Sequence, residues 1–278
     1  MRVDHLVGGL ALEPTGDGRY RAQNVEAGHG QGSSGPVFGG QLMAQALVAG
    51  LAGHEDMRVK TLHTVFARGA SPEQPLDIVV ESMHAGRSFA SSTVTISQGD
   101  RLCTRSLVLL SADEPNFIHH AEPAPAAAAA PPGTEPGDEW QVEVVGDVDI
   151  SDPDQVGPAE LDVWSRFPGA PDEPGVAQAL LAFATDGFLI GTAMRPHPGV
   201  GQAQAHRSLA TGVISHTLTF HEPFPAADWL LLAHRSPHAG HGRCYGRADV
   251  FTPDGALVAS FVQDAMIRPI PEEKQTHG

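Results

Sequence analysis

One order of elements occurs twice along this chain of 278 residues, and that repetition limits the folds open to it. In the first half GGQLMAQALVAGLAG (39–53) carries Leu42, Ala46, Leu47 and Val48 near helical spacing after a glycine pair, which predicts a helix. LHTVFARGA, PLDIVVESM, SFASSTVTISQGD and RLCTRSLVLL follow, rich in β-branched residues and parted by glycine and polar turns, and read as consecutive strands. In the second half GVAQALLAFATDGFLIGTAM (175–194) reads as one helix. VISHTLTFH, DWLLLAHRS, GRCYGRADVFTPDG and ALVASFVQDAMI then read as strands, with a turn at Thr252-Pro253-Asp254-Gly255. His63-Thr64 echoes His216-Thr217, and Leu102 and Leu257 follow at similar separations, so the halves read as copies of one module. A helix ahead of an antiparallel sheet, used twice, predicts two sheets that each wrap an apolar helix to bury a face neither could bury alone.

The stretch AEPAPAAAAAPPGTEPGD (121–138) suits an extended connector better than a packed element. The expected division is a first module over residues 1–120, a connector over 121–158, a second module over 159–270 and a flexible tail over 271–278. Seventeen Lys and Arg stand against 33 Asp and Glu, a net charge of −16 with no basic run, which argues against nucleic-acid binding. No run of 18 or more apolar residues is present, so a membrane partner is not expected. The opening MRVDHLVGGLALEP is too brief and too polar for a secretory signal, and two cysteines make no disulfide framework, so the expected location is cytoplasmic.

VFGGQLMAQAL (37–47), the HTVFARGA stretch from His63, GRSF (86–89), FATDGFL (183–189), SHTLTFHEPF (215–224) and FTPDGALVASFVQDAMIR (251–268) together resemble the acyl-CoA thioesterase II family. The resemblance covers most of residues 37–268 apart from the connector. It implies an α+β double hotdog, two fused antiparallel sheets each wrapped around a helix. It also implies hydrolysis of medium- or long-chain acyl-CoA to fatty acid and CoA, with no cofactor and no metal, and a homo-oligomer is expected. Carried over residue by residue, the family's aspartate falls on Asp186 and its glutamine on Gln263, while Val213 stands where the family has a hydroxyl. Valine cannot hydrogen-bond a water. By strand alternation Thr211 and Ser215 are expected to share the face of Val213, each about 6.6 Å away at ~3.3 Å per residue, and are the candidates to replace that hydroxyl.

Thioester hydrolysis needs a positioned water, an acceptor for its proton and donors where charge develops on the carbonyl oxygen. Asp186 lies among Phe183, Phe188, Leu189 and Ile190, where a charge is costly without partners; an ordinary helix-capping aspartate is the plainer alternative. Gln263 sits in LVASFVQDAMI and needs partners if it points inward, with Asp264 then facing out; an edge residue is its plainer alternative. Gly39, Gly40 and Gln41 are candidates for close backbone approach to substrate, as simple close packing would also demand. Arg68, Arg87 and Arg105 are candidates for CoA phosphates, or solvated surface. His234, His238 and His241 read as a hairpin loop rather than a metal set, and His119-His120 as solvated. Beside the hydrolase stand two alternatives on the same fold: a hydratase, disfavoured because no histidine lies at helical spacing from Asp186, and a non-catalytic acyl-CoA binder that has lost its hydroxyl at Val213.

Overall fold

A computed structural model describes residues 1–25, 35–125, 131–133 and 136–271; the tail expected over 271–278 lies outside these residues but for its first position. The first half runs α1 (Val3–Gly9), β1 (Glu13–Gly16), β2 (Arg19–Ala22), α2 (Gly39–Leu51), β3 (Met57–Phe66), β4 (Leu76–Ala85), β5 (Phe89–Gln98) and β6 (Arg101–Ala112). The second runs β7 (Gln141–Val144), β8 (Glu160–Arg166), α3 (Pro174–Ala184), α4 (Leu189–Met194), β9 (Leu209–Phe220), β10 (Leu230–Gly240), β11 (Arg243–Phe251) and β12 (Leu257–Pro269). The short β7 falls inside the span read as connector and pairs with β8.

All the strands join one antiparallel sheet in the order β1-β2-β4-β5-β6-β3-β9-β12-β11-β10-β8-β7. The halves therefore meet edge to edge at β3 and β9, from Thr61 opposite Thr219 to Val65 opposite Ser215. Alternation fixes the inner face: in β5 every second residue from Ala90 to Gln98 is buried. Over that face lies α2, apolar nearly all round as a fully buried helix must be, with Leu42, Met43 and Leu47 almost wholly sequestered. Packed against α2 is α3, whose Leu180 and Leu181 are equally buried. This is the double hotdog, an α+β fold in which the two expected sheets are fused into one and each half of it wraps a helix.

The second helix is not continuous. α3 ends at Ala184 with Thr185 as its C-cap, still helical in φ and ψ, and helix resumes only at Leu189, with Phe188 in the left-handed region at φ 51°. Within the break the Gly187 amide donates to the Ala184 carbonyl oxygen at 3.3 Å and the Thr185 hydroxyl to that of Ala182 at 2.9 Å. By length and composition the 21-residue segment Pro174–Met194 is apolar enough to cross a bilayer, but 72% of its most apolar window is buried within the fold, where it serves as core.

Candidate active site

The break between α3 and α4 brings Asp186 against the first turn of α2. Its Oδ2 accepts the Gly40 amide at 3.0 Å, and the Gly39 amide also bonds the carboxyl. These N–H groups open a helix and have no partner within it, so a carboxylate suits them. Both glycines are needed for the approach: a Cβ on Gly39 would lie 2.8 Å from Asp186 Oδ2, and one on Gly40 would lie 2.3 Å from the Phe183 carbonyl oxygen. The other carboxyl oxygen, Oδ1, is buried with no partner among the described residues. Burial pushes the carboxyl up to about 7, with the Gly40 and Gly39 bonds pulling the other way.

Beneath the break, one row of inward residues crosses the seam between halves. Gln263 on β12 is opposite His216 on β9, His216 is opposite Thr64 on β3, and Thr64 is opposite Ser106 on β6. All four are buried, and the hydroxyls of Thr64 and Ser106 bond each other at 2.8 Å. His216 links this row to the break: Nδ1 lies 3.2 Å from Gln263 Oε1, and Nε2 lies 3.1 Å from Thr185 Oγ1. The Thr185 hydroxyl in turn lies 2.9 Å from the Ala182 carbonyl oxygen. His216 stacks on Phe261, and its burial pushes its pKa down to about 4, so it is neutral near pH 7. The far end of the Gln263 amide is buried without a partner among the described residues. Hydrogen bonds thus run from Gln263 through His216 to Thr185, the chain neighbour of Asp186, and Asp186 and Gln263 each keep one buried polar atom with no partner among the described residues.

The remaining candidates separate by face and by end. Val213 is opposite Ala265 and Thr211 opposite Ile267, so both lie on the inner face with Gln263. Ser215 does not, which corrects the expectation from simple alternation. The register shifts between Asp264 and Ala265, with Ile214 as the extra residue, so Ser215 turns to the outer face and bonds Asp264 at 3.2 Å. Gln41 is also corrected: its amide accepts from the Val25 amide and donates to Asn24 and Gln45, which ties the chain after β2 onto α2 and leaves it no free end for substrate. Gly39 and Gly40 meet the Asp186 carboxyl rather than an open space.

Arg68 is exposed, two residues beyond Phe66, whose ring flanks Gly39. Arg87 lies in the β4–β5 turn beyond Phe89, which pairs with Ser111. Ser111 is five residues along β6 from Ser106, about 17 Å at ~3.3 Å per residue, so Arg87 belongs to the opposite end of the sheet. Arg105 faces out beside Val65. His234 is not in a loop: it is buried in β10, with Nδ1 3.0 Å from the Leu161 carbonyl oxygen. Among the described residues no group of three or more His, Cys, Asp or Glu is placed to hold a metal ion.

In the sequence His216 stands out only as the echo of His63, and Thr185 only as part of FATDGFL. The signal for His216 was present, since it shares the inward parity of Leu218 and Phe220. Thr185 carried none beyond standing next to Asp186.

A duplicated hotdog, its halves joined in one sheet and the Asp186 carboxyl held by the first turn of α2, is the class that fold and geometry define. Residues 29–111 match the family model of the acyl-CoA thioesterase N-terminal domain, and residues 113–267 that of the acyl-CoA thioesterase C-terminal domain. The chain belongs to the acyl-CoA thioesterase family. It is 28% identical to acyl-CoA thioesterase 2 of Haemophilus influenzae over 96% of this chain and 98% of that protein. It is also 28% identical to acyl-coenzyme A thioesterase 8 of Mus musculus, over 96% of this chain and 90% of that protein. The crystal structure of the acyl-CoA thioesterase II TesB2 from Mycobacterium marinum superposes with a TM-score of 0.78 at 27% identity, over 97% of this chain and 98% of that one.

Proposed function

We propose that this protein hydrolyses medium- or long-chain acyl-CoA to the free acid and CoA by a water held between Asp186 and Gln263. One observation carries the reading: Asp186 Oδ1 and one end of the Gln263 amide are both buried polar atoms without partners among the described residues, an arrangement that costs stability unless another molecule meets them. With a pKa of about 7, Asp186 is poised as a general base. Its ionised carboxyl takes a proton from the water as the oxygen attacks the thioester carbon. Collapse of the tetrahedral adduct breaks the C–S bond, and the departing thiolate takes up the proton to give the CoA thiol.

Val213, apolar and on the inner face beside Gln263, favours one other reading, a binder that holds acyl-CoA without turning it over. Thiol release from a panel of acyl-CoA substrates decides between them. Turnover without added metal is expected; saturable binding with no thiol release across the panel overturns the hydrolase reading. Thr211 is the hydroxyl left on the inner face to assist, and Val213→Thr is expected to raise kcat if that water is within its reach.

The proposed setting is cytoplasmic, in keeping with Cys103 and Cys244, which are both unpaired and buried. The proposed state is a homo-oligomer, supported by Val65, Leu107 and Leu109 on the outer face of β3 and β6, which are 45%, 48% and 38% exposed. Analytical ultracentrifugation is expected to find more than one copy, and a monomer at micromolar concentration would discard the assembly.

A further inference from the structure

The two ends of a glutamine amide, an oxygen and an NH2, are nearly alike in size, so which end faces the active site follows from the bonding around it. Here that bonding starts from a group with no choice. The Ala182 carbonyl oxygen can only accept, so at 2.9 Å the Thr185 hydroxyl must donate to it. That uses the only proton on Thr185 Oγ1. The contact of 3.1 Å between Oγ1 and His216 Nε2 is then a hydrogen bond only if Nε2 carries a proton and donates. A neutral imidazole has one N–H, so Nδ1 is an acceptor; the structure sets Gln263 Oε1 3.2 Å from it, which would face acceptor with acceptor, so the amide must be turned over from that placement to bring its NH2 to Nδ1. The carboxamide oxygen is left facing away from His216.

We infer that Thr185 and His216 are positioning residues that lock Gln263 with its amide oxygen, not its NH2, toward the reacting water. The inference rests on the thioesterase reading and adds the role of each hydrogen bond. Two acceptors, the Asp186 carboxylate and the Gln263 oxygen, then receive both protons of one water. Its lone pairs stay free, and one can be aimed at the thioester carbon. An NH2 in the same place would instead donate into a lone pair and occupy the electrons that must attack. The complete chain of donors runs from the Gln263 NH2 to His216 Nδ1, from Nε2–H to Thr185, and from the Thr185 hydroxyl to Ala182. Every member is buried, so water does not compete for these bonds.

The test reads the proton directly. Nitrogen-15 NMR of the histidine-labelled protein at pH 7, with the His216 signals assigned by their loss in His216→Gln, is expected to show a neutral ring protonated at Nε2. A proton on Nδ1, or on both nitrogens, overturns the inference. Thr185→Val removes the acceptor for Nε2–H and is expected to move the proton to Nδ1, turn the Gln263 amide over, and lower kcat roughly 10- to 100-fold with KM changed less than about threefold. Thr185→Ser keeps the hydroxyl and is expected to restore kcat to within about threefold of the parent. A Thr185→Val variant with a lower thermal midpoint but an unchanged kcat would show a structural role only and overturn the inference. The two readings fail separately. A parent protein that releases no thiol while His216 carries its proton on Nε2 removes the hydrolase and leaves the hydrogen-bond chain standing, whereas an active parent protonated at Nδ1 removes this inference alone.

Discussion

A carboxyl held near pKa 7 titrates in the range where the enzyme is proposed to work, so Asp186 carries two pH-dependent expectations. Only its ionised form can take a proton from water, so kcat/KM should rise through an inflection near pH 7 and level off above it. Flat activity from pH 5 to 9 would contradict the base assignment. Stability should run the other way. The folded pKa is raised above the ordinary 3.8, so the fold holds a proton that the unfolded chain releases. The cost of the buried charge is absent below about pH 4, grows between there and pH 7, and is complete above it. Asp186→Asn keeps an oxygen for the Gly40 amide and removes the charge. It should therefore raise the thermal midpoint at pH 8, with the gain shrinking toward pH 5, while kcat falls by about 10²–10⁴. A midpoint that drops at both pH values would mark Asp186 as a structural cap instead. Asp186 and Gln263 were readable in the sequence as polar residues in apolar surroundings. The His216–Thr185 link was not, because it joins residues 31 apart through the direction of single protons.

Two local departures from ideal elements shape the site, and neither is written in hydrophobic periodicity. The helix pattern of residues 175–194 is unbroken on paper, yet the chain unwinds after Thr185, where the Asp186 carboxyl is held by the first turn of α2, 146 residues earlier at Gly40. Alternation in β9 likewise predicts one face for Val213 and Ser215, and the extra residue at Ile214 reverses it. Strand and helix identity follow from residue type and period, whereas a bulge or a break depends on what lies across the fold. The closeness of α2 and α3 gives a test at this scale. A Cβ at Gly40 would press on the Phe183 carbonyl at 2.3 Å and the Phe38 ring at 2.6 Å, so Gly40→Ala must part the helices. About 1–3 kcal/mol of stability should be lost in urea unfolding, with kcat reduced as the Asp186 carboxyl shifts. Unchanged stability would show that the helices are not in contact there.

At the scale of the molecule, the repeat of helix and strands made the duplication legible, but not the way one half completes the other. Asp186 and Gln263 come from the second half and the amides that hold the carboxyl from the first, so the site is whole only when the halves share one sheet. The shared sheet also sets a timetable for the newborn chain. On the ribosome β3 is made first, and its partner β9 ends at Phe220, about 150 residues later. At ~5–20 residues per second, β3 waits roughly 8 to 30 s for β9, and for roughly the last 5 to 22 s of that it is the open edge of a first half complete through β6. An open edge invites pairing with another chain. This one carries its own deterrents, a register shift between Val59 and Thr61 and the charge of Lys60, whose Nζ later bonds the Phe220 carbonyl at 2.6 Å across the closed seam. The lysine that keeps nascent neighbours apart becomes, once translation passes Phe220, one of the groups that fasten the two halves together.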